Sequence, residues 1–298
     1  MRLAHVSDLH LLSLSGVKLS EFLNKRWLGG VNLLFNRGHS YRHEIFDALV
    51  DDLNEQRVDH VLCTGDLTNL ALKPEFRFAR ERFDRIALGP QGVTCIPGNH
   101  DRYVRSSERM FEEFFAPYCT SDAGTSWESW PVLRVRGELA IIGLSTGKPS
   151  PWLMAYGRVG AEQLARLEHF LRDLRLKDKF RMVLLHHPPL GRAAGEFHRG
   201  LRDRRELLAV LERAGAELVL HGHEHLDLRA EHVGPLGTRI PVHGIQSGSY
   251  GGHAAQRLAR YRIYRIEPQP GRRPVLAHAT LRAWDAARGK FLGEGGSG

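Results

Sequence analysis

The sequence predicts an α/β protein in which short, fully buried strands alternate with amphipathic helices. Two observations support this prediction. Five short runs rich in Val, Ile and Leu each end at a polar cluster, a glycine or a proline, as strands buried on both faces do. Between these runs lie longer segments whose apolar residues recur at the spacing of one helix face. Sites in such folds form beyond the carboxyl ends of the strands, where the five polar clusters fall.

The predicted strands and helices alternate along the first two thirds of the chain. The strand-like runs cover residues 3–6, 60–63, 93–96, 182–185 and 218–220, and the helical segments cover residues 41–56, 75–86, 161–174 and 205–214. From residue 238 onward the pattern is typical of short strands joined by turns, without a helix between them. We therefore expect a second, antiparallel sheet near the end of the chain.

Composition excludes several classes of protein. The chain has 298 residues, of which 42% are hydrophobic and 26% are charged, so disorder, collagen and a disulfide scaffold are excluded. Three cysteines, a polar start and the lack of any long apolar run predict a reduced cytoplasmic protein without a signal peptide. The net charge of +8 attracts anions but does not choose among phosphate esters, nucleic acid and an anionic membrane.

The polar clusters that follow the strands contain metal-ligand types at suitable spacing. Asp8 and His10 lie two residues apart, so a strand end places both side chains on one side. His223 and His225 repeat this spacing. Further ligand types follow the other strands at Asp66, Asn99 and His186. Carboxylate, imidazole and amide oxygen without thiolate suit borderline divalent ions such as Mn, Fe, Zn, Co or Ni.

Five motifs in this order resemble the calcineurin-like metallophosphoesterase family. They are Asp8-Leu9-His10, Gly65-Asp66, Gly98-Asn99-His100-Asp101, His186 and Gly222-His223-Glu224-His225. Each motif alone is weak, but the five together give a resemblance over about residues 3–225. This resemblance implies a sandwich of two mixed sheets flanked by helices. We expect a single domain over residues 1–292 and a flexible tail at residues 293–298.

The same resemblance implies a cofactor of two divalent metal ions, Mn, Fe or Zn. One ion would be held by Asp8, His10, Asp66 and His225, and the other by Asp66, Asn99, His186 and His223. Two cations roughly 3.5–4 Å apart neutralise a phosphodiester and generate a bridging hydroxide that attacks phosphorus in line.

The family pattern also implies a catalytic pair beside the metals. His100 would donate a hydrogen bond or a proton to the phosphoryl or leaving oxygen, and Asp101 would orient or charge its imidazole. Two further histidines, His187 and His221, have no ligand position in the pattern, so we expect them to pack beside the site. We assign His187 to substrate binding.

Extra chain follows the first motif, and we expect a lid or cap insertion at residues 14–40. Residues 17–39 mix cations with large apolar side chains. Three interpretations remain open for them: a lid over the substrate, a peripheral contact with the anionic inner membrane, or a helical hairpin packed on the body. A second variable region, residues 145–158, brings Trp152 and Tyr156 to the other wall, where base stacking and plain packing are both open.

The leading functional prediction is a binuclear-metal hydrolase of a small-molecule phosphodiester or other phosphate ester, similar to bacterial cyclic-nucleotide phosphodiesterases. The alternative is a lipid-linked pyrophosphate hydrolase of the UDP-diacylglucosamine type, favoured by the apolar, basic insertion. Those hydrolases usually carry Arg at the position of His100, which argues against it. A nuclease stays open because of the basic excess, although no groove-reading motif supports nucleic acid as a partner. A fourth alternative is a non-enzymatic scaffold. A scaffold would not need all seven predicted ligands, so their presence argues against that class.

Overall fold

Two mixed six-stranded sheets form the centre of the computed structural model, which describes residues 1–17, 26, 40–122, 130–235, 237–252 and 257–294. The first sheet contains β1 (Arg2–Val6), β2 (His60–Cys63), β3 (Val93–Cys95), β10 (Arg260–Gln269), β11 (Arg272–Asp285) and β12 (Lys290–Gly293), in the order β12-β11-β10-β1-β2-β3. The second contains β4 (Val132–Arg136), β5 (Leu139–Gly143), β6 (Phe180–Leu184), β7 (Leu218–His221), β8 (Leu228–Val233) and β9 (Arg239–Gly244), in the order β4-β5-β6-β7-β9-β8.

Five α-helices flank the sheets within the described residues. They are α1 (His43–Glu55), α2 (Lys73–Phe83), α3 (Met110–Cys119), α4 (Ala161–Arg172) and α5 (Arg204–Ala214). The four helices predicted from apolar spacing are therefore confirmed, and α3 is an addition. Its sequence MFEEFFAPYC is short, aromatic and interrupted by Pro117, so it lacks the long apolar period that marked the others.

The alternation of side chains along the strands divides the apolar interior into two cores. Met182 and Leu184 of β6 join the core that the second sheet shares with the first sheet and with α1, α2 and α3. Val183, between them, joins the core under α4 and α5. Strands buried on both faces explain the continuous Val, Ile and Leu runs of the sequence.

The parallel register brings the carboxyl ends of the chemistry-bearing strands to one edge of each sheet. In the first sheet Val6 lies opposite Cys63, which lies opposite Cys95. In the second sheet Leu184 lies opposite Leu220. The polar residues that follow these strands are thus placed side by side, as expected from the sequence.

The prediction of a separate antiparallel sheet near the end of the chain is wrong. The late strands do not form a sheet of their own, because β9 pairs with β7 and β10 pairs antiparallel with β1, so they complete the two existing sheets. Of the flexible tail predicted at residues 293–298, the structure describes only residues 293 and 294. Gly293 ends β12, and Glu294 pairs with Arg260 at 2.7 Å.

A buried carboxyl group accepts hydrogen bonds from the backbone at the start of α2. Glu75 is fully buried, and its Oε2 accepts hydrogen bonds from the backbone N–H groups of Leu70 and Leu72, each at 3.0 Å. Arg26 holds the same loop, because its Nε donates to the Leu70 carbonyl oxygen at 2.8 Å. Burial outweighs these hydrogen bonds and raises the pKa of Glu75 to about 8.

We predict that Glu75→Gln flattens the pH dependence of folding. The folded chain retains this proton up to about pH 8, whereas the ordinary pKa is 4.5, so the folded state binds more protons in that window. The free energy of unfolding of the wild type therefore falls as pH rises through it. Urea unfolding at several pH values should show a smaller fall in Glu75→Gln than in the wild type, whereas exposed Glu81→Gln on the same helix should match the wild type. Equal slopes in all three proteins would contradict the prediction.

Candidate metal centre

The backbone at the carboxyl ends of the strands adopts a rare conformation. Eight non-glycine residues in the described part of the chain have positive φ, and five of them are predicted metal ligands. These are Asp8 (55°), His10 (45°), Asp66 (55°), His223 (73°) and His225 (53°). The left-handed region is costly for residues with a Cβ, and such residues concentrate at functional sites. The chain therefore bends sharply at the points where the predicted ligands lie.

A first group of side chains joins the end of β1 to the loop after β7. His225 Nε2 lies 3.2 Å from Asp8 Oδ1 and 3.2 Å from His10 Nε2. Asp8 and His10 are buried, and His225 is partly exposed. One potential ligand atom from each of the three residues lies within 4.8 Å of the others.

A second group lies beside the first and includes the carboxylate after β2. His186 Nε2 lies 3.3 Å from Asp66 Oδ2 and 3.1 Å from Asn99 Oδ1. His223 Nδ1 lies 2.9 Å from the same amide oxygen. Asp66 Oδ2 also lies 3.8 Å from His10 Nε2, so this carboxylate faces both groups. The structure thus brings together all seven side chains that the sequence singles out as ligands.

The donor set fits divalent metal ions. The His186 Nδ1–H donates to the Thr64 carbonyl oxygen at 2.7 Å, which leaves the Nε2 lone pair facing Asp66 and Asn99. Lone pairs that face one another repel unless a proton or a cation lies between them. Ligand atoms on metal bonds of about 2.0–2.1 Å lie roughly 3–4 Å apart, as these do. The residues present could therefore hold metal ions at this edge.

Electrostatics within the group favour positive charge. Burial opposes the protonation of His186, but the Asp66 carboxylate outweighs it and raises the pKa of His186 to about 9. Burial likewise favours neutral Asp66, but the neighbouring imidazoles, His186 first, hold the pKa of Asp66 well below its usual range. The same negative charge that stabilises a proton here also stabilises a metal ion.

Backbone N–H groups aim the carboxylates. Asp66 Oδ1 accepts a hydrogen bond from the His100 N–H at 2.8 Å, which leaves Oδ2 toward the imidazoles. Both oxygens of Asp8 accept from the His223 N–H, at 3.1 and 3.2 Å. Each carboxylate is thereby fixed by the loop that supplies a neighbouring ligand.

The family model described as calcineurin-like phosphoesterase matches residues 1–227 of the chain. This chain belongs to the calcineurin-like phosphoesterase family. The matched segment contains both groups of side chains, from Asp8 to His225, and membership makes the chain a hydrolase of phosphate esters.

Solved structures share the fold of this phosphoesterase at low sequence identity. A dimetal phosphatase from Danio rerio is 12% identical over 98% of both chains, with a TM-score of 0.62. The purple acid phosphatase PPD1 from yellow lupin is 12% identical, with a TM-score of 0.61; the match covers 98% of this chain and 52% of the lupin chain. The Haemophilus influenzae NAD nucleotidase is 13% identical over 99% of this chain and 54% of its own, with a TM-score of 0.51. At such identities the likeness shows the fold alone.

Two further comparisons concern relatives and the membrane. No curated protein matched the chain. Among the helices in the described ranges, none combines the length and the apolar character needed to cross a bilayer.

The structure corrects the predicted role of Asp101 in the phosphoesterase. His100 belongs to a third potential ligand group with His10 and Asp66, and its Nδ1–H donates to the Asn69 carbonyl oxygen at 2.6 Å. Asp101 contacts the backbone of two loops. Its buried carboxylate accepts from the backbone N–H groups of residues 67, 68 and 98, at 2.9–3.0 Å. Burial and the Asp66 charge raise the pKa of Asp101 to about 6. Asp101 therefore ties together the loops that carry Asp66 and His100, and Asn69 orients the imidazole.

The structure also corrects the substrate-binding role of His187. Its ring is fully buried, with Nδ1 2.8 Å from Thr146 Oγ1 and Nε2 3.0 Å from the Ala155 carbonyl oxygen. Burial lowers the pKa of His187 to about 3, so the ring is neutral at physiological pH. Because both ring nitrogens contact the protein, His187 supports the loop of residues 146–155 and does not reach a substrate. His221 is buried as well, as expected from its lack of a ligand position.

Two contacting residues were missed by sequence analysis. The Tyr41 hydroxyl lies 3.1 Å from His225 Nδ1, and its ring centroid lies 4.7 Å from that of His10. Asn69 forms hydrogen bonds with two residues of the site. Its side-chain amide donates to the His10 carbonyl oxygen, and its backbone carbonyl oxygen accepts from the His100 ring. Neither residue belongs to a motif, and no spacing in the sequence signals either contact.

Most of the predicted insertion at residues 14–40 lies outside the described residues. The structure describes residues 14–17, 26 and 40 of it, and Arg26 is buried against the Leu70 and Ala71 carbonyl oxygens. The choice among a lid, a membrane contact and plain packing for residues 17–39 stays a prediction.

We predict that Gly98→Ala disables the phosphoesterase while the matched Gly195→Ala does not. A Cβ at Gly98 would lie 2.1 Å from Asp66 Oδ1 and 2.4 Å from the Asp66 backbone nitrogen, so the carboxylate must move. Misplacement of a reacting group by about 1 Å can cost on the order of 100-fold in rate. A Cβ at Gly195 would meet its nearest atom at 3.7 Å. Steady-state hydrolysis of a chromogenic phosphate ester should separate the two variants, and wild-type kcat/KM in Gly98→Ala would contradict the prediction.

Proposed function

We propose that the chain hydrolyses phosphodiesters with the help of two divalent cations, Mn, Fe or Zn. Asp8, His10 and His225 would hold one cation, and Asn99, His186 and His223 would hold the other. The observation that carries this proposal is the position of Asp66, whose Oδ2 lies 3.8 Å from His10 Nε2 and 3.3 Å from His186 Nε2. One carboxylate between two imidazole groups is suited to bridge a pair of ions.

The cations supply charge that neutralises the phosphate and lowers the pKa of water. The residues of the chain would hold the cations in place. Asp8 and Asp66 provide the negative charge that retains the cations, and the backbone N–H groups of His223 and His100 fix both carboxylates. Burial of Asp8, Asp66 and His186 excludes water and strengthens each of these electrostatic contacts.

His100 is suited to proton transfer at the leaving oxygen. Donation from Nδ1–H to the Asn69 carbonyl oxygen fixes the ring, so Nε2 is the nitrogen that can face the site. The ring also stacks on Tyr103, with centroids 5.6 Å apart. A protonated His100 would donate from Nε2 to the departing oxygen and stay bonded to Asn69 throughout.

A cavity beside the first group supports a diester over a monoester. It has a volume of about 490 Å³, within the range of small-molecule sites, and its lining includes Leu12, Tyr41, Arg42 and Trp284. Tyr41 belongs both to this wall and to the first ligand group, because its hydroxyl contacts His225. A phosphodiester carries a second organic group, and Tyr41 and Trp284 would give that group an aromatic wall. The charge of Arg42 in the lining is offset by that of Glu44.

We predict that metal removal and the loss of Asp66 abolish hydrolysis of bis-p-nitrophenyl phosphate. Treatment with a chelator should remove activity, and Mn²⁺ should restore it in the wild type. Asp66→Ala should stay inactive after Mn²⁺ is added, because the bridging carboxylate is gone. Asp178→Ala is the control, since that side chain is 81% exposed. Activity that survives chelation, or Asp66→Ala that matches the control, would disprove the metal-dependent reaction. A faster reaction with p-nitrophenyl phosphate or with a lipid-linked pyrophosphate would replace the diester as substrate class, whereas a faster reaction with an oligonucleotide would identify the diester as a nucleic acid.

We predict that His100→Gln lowers kcat in a manner that depends on the leaving group. General acid catalysis contributes roughly 10²–10⁴-fold, and more where the leaving oxygen is strongly basic. The loss should therefore be larger for an alkyl phosphodiester than for bis-p-nitrophenyl phosphate, with metal content unchanged. Exposed His169→Gln serves as the matched control. An equal loss with both substrates would show that His100 only positions its neighbours.

A further inference from the structure

Two neighbouring loops expose a cluster of large apolar side chains. Residues 147–158 and 190–202 contain Trp152, Leu153 and Phe197, which are 58%, 84% and 61% exposed. They are three of the seven large apolar side chains that are exposed in the described part of the chain. Scattered exposed apolar residues are ordinary, but a cluster of this kind marks an interaction surface. We call these two loops the apolar–basic surface.

The apolar–basic surface is held in place by contacts between its loops. The Ala155 N–H donates to the His198 carbonyl oxygen at 2.8 Å, and Gly157 pairs with Leu201 as an isolated bridge. The Arg202 guanidinium lies over the rings of Tyr156 and Phe197, 4.4 and 4.1 Å from their centroids. The two loops therefore present one surface.

Cations lie in the same two loops as the exposed apolar side chains. The two loops carry five cations against one acid, Glu196, for a net charge of +4 (five minus one). They are Lys148, Arg158, Arg192, Arg199 and Arg202, and all five are exposed. The nearby acid Asp203 is buried and accepts hydrogen bonds from the N–H groups of Val159 and Gly160. Its Oδ2 also lies 3.9 Å from Arg158 Nε, so one of the five cations has an acidic partner.

The apolar–basic surface borders the candidate metal centre. His187 supports the first loop through the Ala155 carbonyl oxygen, and its ring centroid lies 4.6 Å from that of His223 and 5.1 Å from that of His186. His187 therefore links the first loop of this surface to two predicted metal ligands.

We propose that the apolar–basic surface docks on an anionic phospholipid bilayer. Trp152, Leu153 and Phe197 enter the interfacial region, and the cations of the same two loops contact the phosphate headgroups. Apolar side chains together with cations are the combination that binds reversibly to such membranes, since each supplies part of the free energy. Nucleic acid would satisfy the cations but leave Leu153 in water, so the bilayer matches the whole surface better. The inference does not depend on the substrate of the enzyme.

The test is co-sedimentation of the full chain with vesicles of phosphatidylcholine, with and without phosphatidylglycerol. The wild type should bind the mixed vesicles, bind the neutral ones much more weakly, and dissociate as salt is raised. The triple variant Trp152→Ser, Leu153→Ser, Phe197→Ser should lower the binding constant at least about tenfold, because each side chain loses apolar burial. Leu174→Ser is the matched control, since Leu174 is 79% exposed on the segment after α4.

A second pair of variants tests the charges. Lys148→Gln with Arg192→Gln should weaken binding to the mixed vesicles, whereas Lys290→Gln with Arg272→Gln, also exposed, should not. Failure of the wild type to bind mixed vesicles would overturn the proposal, as would unchanged binding of the triple variant, which would indicate a contact elsewhere. Binding to a single-stranded oligonucleotide without vesicle binding would overturn it in favour of nucleic acid.

Discussion

The position of one carboxylate between imidazoles from both sheets is the constraint on which the site depends. Asp66 follows β2 of the first sheet, and its Oδ2 faces His186 of the second sheet at 3.3 Å. Asp8 lies nearby and is equally buried. Two buried carboxylates are costly unless positive charge lies between or beside them. The junction of the sheets therefore requires cationic charge at this point, and divalent metal ions meet that requirement with the ligands present.

The rest of the fold keeps these groups from relaxing. Left-handed backbone at five of the predicted ligands costs of order 1–3 kcal/mol each, and such strain persists only where the surroundings determine it fully. Asp101 helps to hold this backbone, because its carboxylate accepts hydrogen bonds from the N–H groups of Leu67 and Gly98. Asn69 also helps, because it forms hydrogen bonds with both His10 and His100. The site is thus built before any substrate arrives, which is the arrangement that electrostatic catalysis needs.

The sequence predicted the site residues that follow the buried strands. It did not predict the contacts that depend on the paths of the loops. Asp8 and Asp66 follow neighbouring parallel strands of the first sheet, so the register brings them together. His186 follows β6 of the second sheet and meets Asp66 where the two sheets face each other. Adjacency in the chain misled the interpretation in two places. Asp101 follows His100 but turns to the backbone, and His187 follows His186 but its ring is held by Thr146 and Ala155. Successive residues in extended chain point to opposite sides, which explains the second failure. Tyr41 and Asn69 reach the site by loop geometry that no periodicity encodes.

The most direct test of a bridged pair of cations is a crystal structure of the manganese-loaded protein, with anomalous difference maps. The account predicts two peaks on either side of Asp66, one among Asp8, His10 and His225, and one among Asn99, His186 and His223. A single peak, or peaks remote from Asp66, would contradict it.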